Sequence, residues 1–208
     1  MVTSGPTQEA IDPVRYITNH STGKMGYAIA RVAAYRGADV TLVSGPVDLA
    51  RPLFVETVPV ESAREMFEAV TARSGEQDII VKAAAVADYR VANAAEHKLK
   101  KDTGGIPPIE LVENPDILAE VAKLPNGPWC VGFAAESHDL LQHASAKRLR
   151  KQVPLLVGNI GPATFGKDDN ALLLIDDQGS KELPHASKDV LARQLVDEIA
   201  QRLSAKRP

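Results

Sequence analysis

An amide side chain, a lysine and two glycines are gathered in residues 19–26 (Asn-His-Ser-Thr-Gly-Lys-Met-Gly). An alanine-rich apolar segment follows, so the stretch is predicted to be a loop that runs into a helix. Backbone N–H groups of such a loop, together with a helix N-terminus, can bind an anion, and Asn19 adds an amide beside them. This loop is the first candidate for half of an active site.

Two common phosphate-binding loops do not match these residues. A P-loop needs Gly-Lys followed by Ser or Thr, whereas Met25 follows Gly23-Lys24. The dinucleotide fingerprint needs three glycines, and only Gly23 and Gly26 are present. A strand-to-helix turn whose glycines allow close packing explains the same residues without any chemistry, and this alternative stays open.

A lysine cluster, Lys98-Leu99-Lys100-Lys101, lies inside a long polar segment at 87–108. A loop of this length in a compact domain is usually functional or disordered, so we predict a flap that closes over phosphates. In an extended chain Lys98 and Lys100 share one side and Lys101 faces away. A solvated surface run is the alternative explanation.

Three further charged residues follow predicted elements. Asp88 comes after the alanines at 83–85, which end a strand and let a flat ring or a ribose approach the backbone; its carboxylate could accept from a sugar hydroxyl or hold magnesium. Lys147 and Lys151 are four residues apart on one helical face. They could reach a triphosphate, but cations in a last helical turn also simply complement the helix dipole. For Asp88 and the alanines, the alternative explanation is tight helix–sheet packing with a solvated carboxylate.

The elements that must position these residues alternate between strand and helix. This order predicts an α/β fold: a three-layer Rossmann-like domain with a mainly parallel sheet, a β-hairpin appendage and the lysine-rich flap, as one domain over 1–208. Asn114 is the predicted N-cap of the third helix, with Pro115 at its first position. The predicted strands are 2–4, 39–44, 54–60, 78–86, 109–112, 129–134, 154–159 and the hairpin 171–183, and the predicted helices are 23–36, 62–73, 114–123, 139–150 and 187–203.

Composition excludes several classes of protein. The chain has 208 residues, 44% of them hydrophobic, and a net charge of −3, so a nucleic-acid-binding or membrane-binding surface is not expected. No apolar run approaches a membrane span, and no signal peptide is recognised. The single cysteine, Cys130, allows no intrachain disulfide, which fits the cytoplasm. Because the chain opens directly on a strand, we expect it to be a domain of a longer protein.

Other candidate chemistries are weak. Cys130 lies in a predicted core strand and is expected to be inert. The five histidines show no zinc spacing; His138 and His143, five apart, do not share a helical face. No nucleophile elbow is present.

Six segments together resemble phosphopantothenate–cysteine ligase of the bacterial, CTP-dependent kind, the C-terminal half of a bifunctional coenzyme A biosynthesis protein. They occur in the family's order with similar spacing and cover essentially the whole chain. The segments are residues 4–7, 12–26, 83–89, 98–101, 114–117 and 132–136.

The resemblance implies a cytoplasmic homodimer, with the 171–183 hairpin as one candidate contact. It implies a ligase that joins 4′-phosphopantothenate to L-cysteine, with CTP as co-substrate and Mg²⁺ as cofactor, through an acyl-cytidylate, releasing CMP and pyrophosphate. The family's N-terminal flavin-dependent decarboxylase domain does not match any part of this sequence, so no FMN is expected here.

The resemblance also implies site residues. Asn19 and Lys98 correspond to catalytic residues, and Asp88 is the expected metal ligand. The start of the helix after Asn114 is the expected reader of cytosine. The residues expected to bind CTP are Ala83, Ala84, Asp88, Lys98, Pro115, Asp116, Ile117, Leu118, Phe133, Lys147 and Lys151.

Two rival functions remain from the residues themselves. An NAD(P)-dependent reductase shares the layer architecture, but the second strand ends in Ser44-Gly45-Pro46 where an acidic ribose ligand is needed. A non-catalytic nucleotide-binding or dimerisation module is the other rival, and phosphopantothenate-dependent pyrophosphate release from CTP would separate it from the ligase.

Overall fold

The computed structural model describes residues 1–100, 108–160 and 164–205. Its main sheet has eight strands in the order β12-β11-β10-β9-β6-β1-β4-β5. These strands are β1 (Val2–Ser4), β4 (Thr41–Ser44), β5 (Glu56–Pro59), β6 (Ile79–Lys82), β9 (Trp129–Glu136), β10 (Leu155–Ile160), β11 (Asp169–Ile175) and β12 (Ser180–Ser187). The six from β5 to β10 are parallel, and β11 and β12 are antiparallel to their neighbours.

Two short antiparallel ladders lie outside the main sheet. One pairs β2 (Glu9–Ala10) with β3 (Tyr16–Ile17), and the other pairs β7 (Tyr89–Val91) with β8 (Leu111–Glu113). The helices are α1 (Lys24–Tyr35), α2 (Ala63–Thr71), α3 (Ile117–Ala122), α4 (Leu140–Lys151) and α5 (Lys188–Ser204), with a 3₁₀ turn at Ser74–Glu76.

Neighbouring strand residues divide the core between the two faces of the sheet, because side chains alternate along a strand. Leu42, Val81, Val131 and Leu155 pack in one buried cluster with residues of α1 and α5. The adjacent Val43, Ile80, Cys130 and Leu156 pack in the other cluster with residues of α2, α3 and α4. The predicted three-layer α/β fold with a mainly parallel sheet is therefore confirmed.

The strand order has a switch point between β1 and β6. From β1 the chain moves outward to β4 and β5, and then returns to the other side of β1 and continues through β6, β9 and β10. In open parallel sheets the crevice outside the strand ends at such a point is the usual ligand site. The loops that leave β1 and β6, and with them Asn19 and Asp88, belong to this crevice.

Three local predictions need correction. Asn114 does not cap α3; Asp116 does, by accepting from the Ala119 N–H at 3.0 Å, and Pro115 precedes the cap. The amide of Asn114 is used elsewhere, since its Nδ2 donates to the Ala87 carbonyl at 3.0 Å. The strand predicted over 78–86 ends at Lys82.

The predicted flap and hairpin also differ in detail. The described part of 87–108 contains β7, so this segment begins as a strand; Lys101, Gly104, Gly105 and Pro107 lie outside the described residues. The hairpin is confirmed, with longer strands than predicted, and it continues the main sheet at the β10 edge.

The single cysteine, Cys130, is 1% exposed in β9. Its thiol lies 3.4 Å from the Pro128 carbonyl oxygen, and burial raises its pKa to about 11. An inert structural cysteine is what the sequence predicted.

Candidate functional site

Two adjoining clefts open at the carboxyl ends of the parallel strands. The α1 cleft, of about 250 Å³, lies beside the N-terminus of α1 and is bordered by residues 21–26, 83–86 and 164–166. The α3 cleft, of about 330 Å³, lies beside the N-terminus of α3 and is bordered by residues 86–89, 113–118 and the end of α4. A common wall separates them, formed by Lys82, Val86, Asp88, Phe133 and Lys147.

The opening loop of the α1 cleft is fixed by hydrogen bonds to β1 and to the segment after β6. Asn19 donates from Nδ2 to the Ala85 carbonyl, and its Oδ1 accepts from the Ser21 N–H at 3.0 Å. The Ser4 hydroxyl donates to the Gly23 carbonyl at 2.8 Å, and Gly23 has a φ of 75°, which favours glycine. Asn19 is thus held at the rim of the cleft, next to the lining residues Ser21 and Ala85.

Gly26 brings α1 against β1 in the same region. A Cβ on Gly26 would lie 2.4 Å from the Ser4 hydroxyl oxygen, so the helix could not keep this position with any larger residue. The sequence alternative of close-packed glycines is therefore also correct for this loop. The turn at Gly23–Gly26 therefore serves close packing, and it also allows a ligand to approach its backbone.

The opposite wall of the α1 cleft is tied down by two lysines. Lys24 contacts Asp168 at 2.6 Å and the Gly166 carbonyl at 3.1 Å. Lys188, only 8% exposed, donates to the carbonyls of Thr164 (3.1 Å) and Lys167. The ammonium group of Lys24, the positive charge of the opening motif, is therefore already paired with this wall.

Sequence reasoning missed several residues of the α1 cleft. Asn159 and Asn170 are buried polar residues that line it, and Lys188 lines it as well. A signal for Asn159 existed, because it follows the apolar residues of β10 at the carboxyl end of a parallel strand. Asn170 and Lys188 come from an antiparallel strand and a helix start, which carry no such signal.

The α3 cleft contains most of the residues expected to bind CTP. Eight of them line it: Asp88, Pro115, Asp116, Ile117, Leu118, Phe133, Lys147 and Lys151. Ala83 and Ala84 line the α1 cleft instead, together with Asp88, Phe133 and Lys147. Among the expected set, Lys98 alone lines neither cleft.

Lysines outnumber carboxylates at the common wall, and the α3 cleft adds Lys151 together with Glu113 and Asp116. Lys151 pairs with Asp116 across the cleft. Burial lowers the pKa of Lys147, and the carboxylates of Glu136 and Asp88 oppose that shift. Burial, then the charge of Lys147, lowers the pKa of Lys82 to about 8. At the common wall, two ammonium groups, those of Lys82 and Lys147, lie with one exposed carboxylate, Asp88, so this wall is suited to an anion.

Asp12 links the opening loop to the predicted flap. Its buried carboxylate accepts from the backbone N–H groups of Val14 and Arg15, both at 2.9 Å, and from the Arg15 guanidinium. It also accepts from the Leu99 N–H at 3.1 Å, while Arg15 donates to the Leu99 carbonyl at 3.0 Å. The Arg15 guanidinium holds the pKa of Asp12 well below its usual range.

Lys98 is exposed, one residue before Leu99, and the Asp12 contacts therefore set the position of its backbone. The structure does not bring Lys98 and Asn19 into one cleft. Their catalytic assignment remains a prediction. Lys101 of the same cluster lies outside the described residues.

Asp88 is the residue that suits a magnesium ion bound with a nucleotide. Mg²⁺ is usually held by one or two carboxylates together with substrate phosphates, and Asp88 offers an exposed carboxylate to both clefts. The one group of three potential metal ligands among the described residues is His138, Asp139 and His143, at the exposed start of α4. That group borders neither cleft.

No helix within 1–100, 108–160 and 164–205 combines the length and apolar character needed to span a bilayer.

Comparison with known proteins agrees with the geometry. The model of the DNA/pantothenate metabolism flavoprotein C-terminal domain family matches residues 1–203. This chain belongs to that family. The resemblance predicted from the motifs is thereby confirmed.

Individual relatives carry more specific names. The coenzyme A biosynthesis bifunctional protein CoaBC of Vibrio vulnificus (strain CMCP6) is 50% identical over 204 residues, which are 96% of this chain and 51% of the relative. This chain thus spans about half the length of that relative. The crystal structure of a CoaBC C-terminal domain is 39% identical, with a TM-score of 0.84, and the match covers 99% of this chain and 95% of that one.

A solved structure of lower sequence identity shares the fold. The Cab2 variant in complex with phosphopantothenate-cysteine is 17% identical and superposes with a TM-score of 0.79 over 97% of this chain and 84% of that one. At this identity the likeness establishes the fold alone.

Proposed function

We propose that this chain is a CTP-dependent phosphopantothenate–cysteine ligase of coenzyme A biosynthesis. The observation that carries the proposal is the pair of clefts with a common wall that contains Lys82 and Lys147: the α3 cleft holds eight of the eleven residues expected to bind CTP, and Asn19 stands at the rim of the other. The name of the bifunctional CoaBC relatives and the ligand in the Cab2 complex support the same reaction.

The first step takes place at the common wall. A carboxylate oxygen of 4′-phosphopantothenate attacks the α-phosphorus of CTP, and the bond to pyrophosphate breaks. Both reactants are anions, so the reaction needs cations that offset their repulsion and the charge of the leaving group. Lys147 and Lys151 stand on one face of α4 at this position. Mg²⁺, held by Asp88 and the phosphates, would supply further charge neutralisation.

The second step belongs to the opening loop. The amine of L-cysteine attacks the acyl carbon of the acyl-cytidylate, and CMP leaves. Negative charge develops on the carbonyl oxygen in this step, and an amide donor can stabilise it. Residues 21–26 border the α1 cleft, and Asn19 lies next to its lining residues Ser21 and Ala85, while the ammonium groups of Lys24 and Lys188 are occupied by the 164–168 wall. The acyl end of the substrate therefore fits the α1 cleft.

Cytosine selection is assigned to the start of α3. Pro115 and Asp116 line the α3 cleft, and backbone groups there can read the amino and carbonyl edges of the base. Asn114, which the sequence placed as a helix cap, instead joins this segment to Ala87 and Asp88. The base-reading segment is thus fixed directly to the common wall.

A homodimer is also part of the proposal. The two short ladders adjoin one another and carry exposed apolar side chains, namely Val14, Tyr16, Tyr89, Ile109 and Leu111. The apolar residues of the 171–183 hairpin, in contrast, are mostly buried in the core. We therefore place the dimer contact on the ladders. Sedimentation velocity tests this: we expect a dimer for wild type and a monomer for Tyr16→Glu. A wild-type monomer would contradict the proposal.

Pyrophosphate release is the decisive test of the activity. The chain is incubated with Mg²⁺, 4′-phosphopantothenate and CTP, with ATP as the nucleotide control, and L-cysteine is added in a second stage. We expect release that requires phosphopantothenate and prefers CTP, and an amide product only after cysteine is added. A chain that binds NADH tightly and releases no pyrophosphate would instead support the reductase.

The cytoplasm is the expected location, because the reaction uses the thiol of free cysteine and a nucleoside triphosphate. Fusion to a flavin-dependent decarboxylase domain in the longer protein is proposed from the bifunctional relatives.

A further inference from the structure

Lys82 is the one lysine at the end of a central strand that faces both clefts. It is the last residue of β6 and lines the α1 cleft and the α3 cleft alike. Its neighbour Val81 packs on the face of the sheet that α1 and α5 cover, so the alternation of β6 puts Lys82 on the face of α3 and α4, at the strand end where the clefts open. The resemblance to the ligase family assigned no role to this residue.

No hydrogen bond or ion pair joins the ammonium group of Lys82 to any residue of 1–100, 108–160 or 164–205. Lys147 of the common wall shares this property within the same residues. Lys24 and Lys188 of the α1 cleft and Lys151 of the α3 cleft, in contrast, all have acceptors. Lys82 thus differs from most of the lysines around it.

The surroundings of Lys82 are unfavourable for a cation in the free protein. Desolvation and the charges of Lys147 and Lys151 disfavour its ammonium form, and Asp88 is the one carboxylate that opposes them. Taking a charge out of water without a partner is costly. An uncompensated lysine in the wall of a cleft is explained when the missing partner is an anionic ligand.

The position of Lys82 indicates which part of the ligand it contacts. In the proposed reaction the nucleotide occupies the α3 cleft and the acyl substrate the α1 cleft, so the reacting phosphorus lies at the wall between them. Lys147 of the same wall and Lys151 lie on α4, on the nucleotide side. Lys82 reaches the same wall from β6, the strand between the two clefts.

We propose that Lys82 binds the α-phosphate of CTP, the phosphate that the substrate carboxylate attacks, and stabilises the charge that develops there. This inference rests on the proposed function. Lys82 is then a catalytic residue of the first half-reaction, in which the carboxylate–phosphorus bond forms and pyrophosphate leaves. It has no part in the attack of the cysteine amine.

The test compares Lys82→Met with wild type and with Lys123→Met. Methionine keeps the length of the side chain and removes the charge; Lys123 is an exposed residue at the end of α3 whose loss removes the same charge outside both clefts. The single-turnover rate of pyrophosphate release, the coupling of isolated acyl-cytidylate to cysteine, and the melting temperature of the ligand-free protein are measured for each.

We expect Lys82→Met to slow pyrophosphate release by about 10²-fold, the loss typical of one removed charge-stabilising donor, and to leave cysteine coupling unchanged. We also expect its melting temperature to rise by roughly 2–4 °C, because an uncompensated buried charge is removed. Lys123→Met should match wild type in both half-reactions.

Three results separate the possible failures. Equal pyrophosphate release by wild type and Lys82→Met would overturn the role of Lys82 and leave the ligase intact. A lower melting temperature together with slower rates in both half-reactions would show that Lys82 is structural. A wild-type chain without CTP-dependent release would overturn the proposed function, and this inference with it.

Discussion

The α1 and α3 clefts share a wall but differ in the groups that a ligand would meet beyond it. Away from that wall, the lysines of the α1 cleft, Lys24 and Lys188, are bound to carbonyls and to Asp168, so the groups left there are amides and backbone. In the α3 cleft and at the wall, Lys82 and Lys147 have no ion pair among the described residues. One cleft suits a neutral acyl group whose oxygen gains charge only briefly, and the other suits a permanent polyanion.

The difference shows that lysine content alone does not define a phosphate site. Lys24 follows a glycine at a helix start, the position where a phosphate-binding lysine is expected, yet it fastens the 164–168 wall. Lys147 has no motif around it but faces a cleft. What separates Lys24 from Lys147 is that the ammonium group of Lys24 already has partners in the protein. The experiments at Asn19 and Lys147 test the two clefts separately.

The largest expected effect is at Asn19. Asn19→Asp should form the acyl-cytidylate and fail to couple it to cysteine, with a loss of about 10³-fold in the second half-reaction, because a carboxylate repels the developing oxyanion. Mass spectrometry of the intermediate and of the amide product measures the two steps separately. Asn126→Asp, in the exposed turn after α3, is the matched control. Normal amide formation by Asn19→Asp would remove the distinction between the clefts.

At Lys147 we expect a smaller effect, on the first half-reaction and not on the second. Lys147→Met should lower kcat/KM for CTP by about 10²-fold and leave the coupling of preformed acyl-cytidylate near the wild-type rate. Arg150→Met removes one charge from the exposed side of the same helix and is the control. An equal loss of kcat/KM in both variants would show that the total charge of α4, and not the cleft-facing lysine, supports the use of CTP.

The smallest effect is expected at Asp12, which lies outside both clefts. Asp12→Asn weakens the contacts with Arg15 and the Leu99 N–H, and misplacing Lys98 should cost about tenfold in turnover. Steady-state rates at saturating substrates measure this loss. Glu110→Gln, an exposed change of the same kind beside β8, is the control.

The stability effect of Asp12 has a defined pH dependence. Since the folded-state pKa of Asp12 is lowered, the carboxylate stabilises the fold above the unfolded pKa, about 3.9, and this contribution is lost as the pH falls below that value toward the folded pKa. Urea unfolding should therefore show wild type more stable than Asp12→Asn at pH 6, with the difference shrinking below about pH 4. A difference that is constant with pH would show that the charge of Asp12 is not what anchors Leu99.

The layers of this fold were predictable because periodicity and chain order determine them. The apolar strand segments and the βαβ order predicted the parallel sheet, and the carboxyl ends of its strands predicted the edge at which the Asn19 loop and Asp88 lie. Lys147 and Lys151 were found from their four-residue spacing, which survives in the structure as one face of α4.

The remaining features depend on contacts that spacing cannot reveal. Asn114 has the sequence context of a helix cap, but a tertiary hydrogen bond to Ala87 moved the cap to Asp116. Lys24 and Lys82 are similar residues in the sequence, and only the acceptors near each of them separate a structural role from a ligand-binding one. Asp12 is linked to Leu99 over 87 residues, which no local pattern indicates.

The burial of Cys130 has a consequence for the chemical safety of the proposed reaction. An activated acyl group is attacked by thiolates, and a reactive thiol on the enzyme would be acylated in place of the incoming cysteine. The chain has one cysteine; its pKa of about 11 leaves it protonated at neutral pH, and β9 and its neighbours enclose it. In the proposed reaction the thiol of Cys130 therefore does not compete with the incoming cysteine for the activated acyl group.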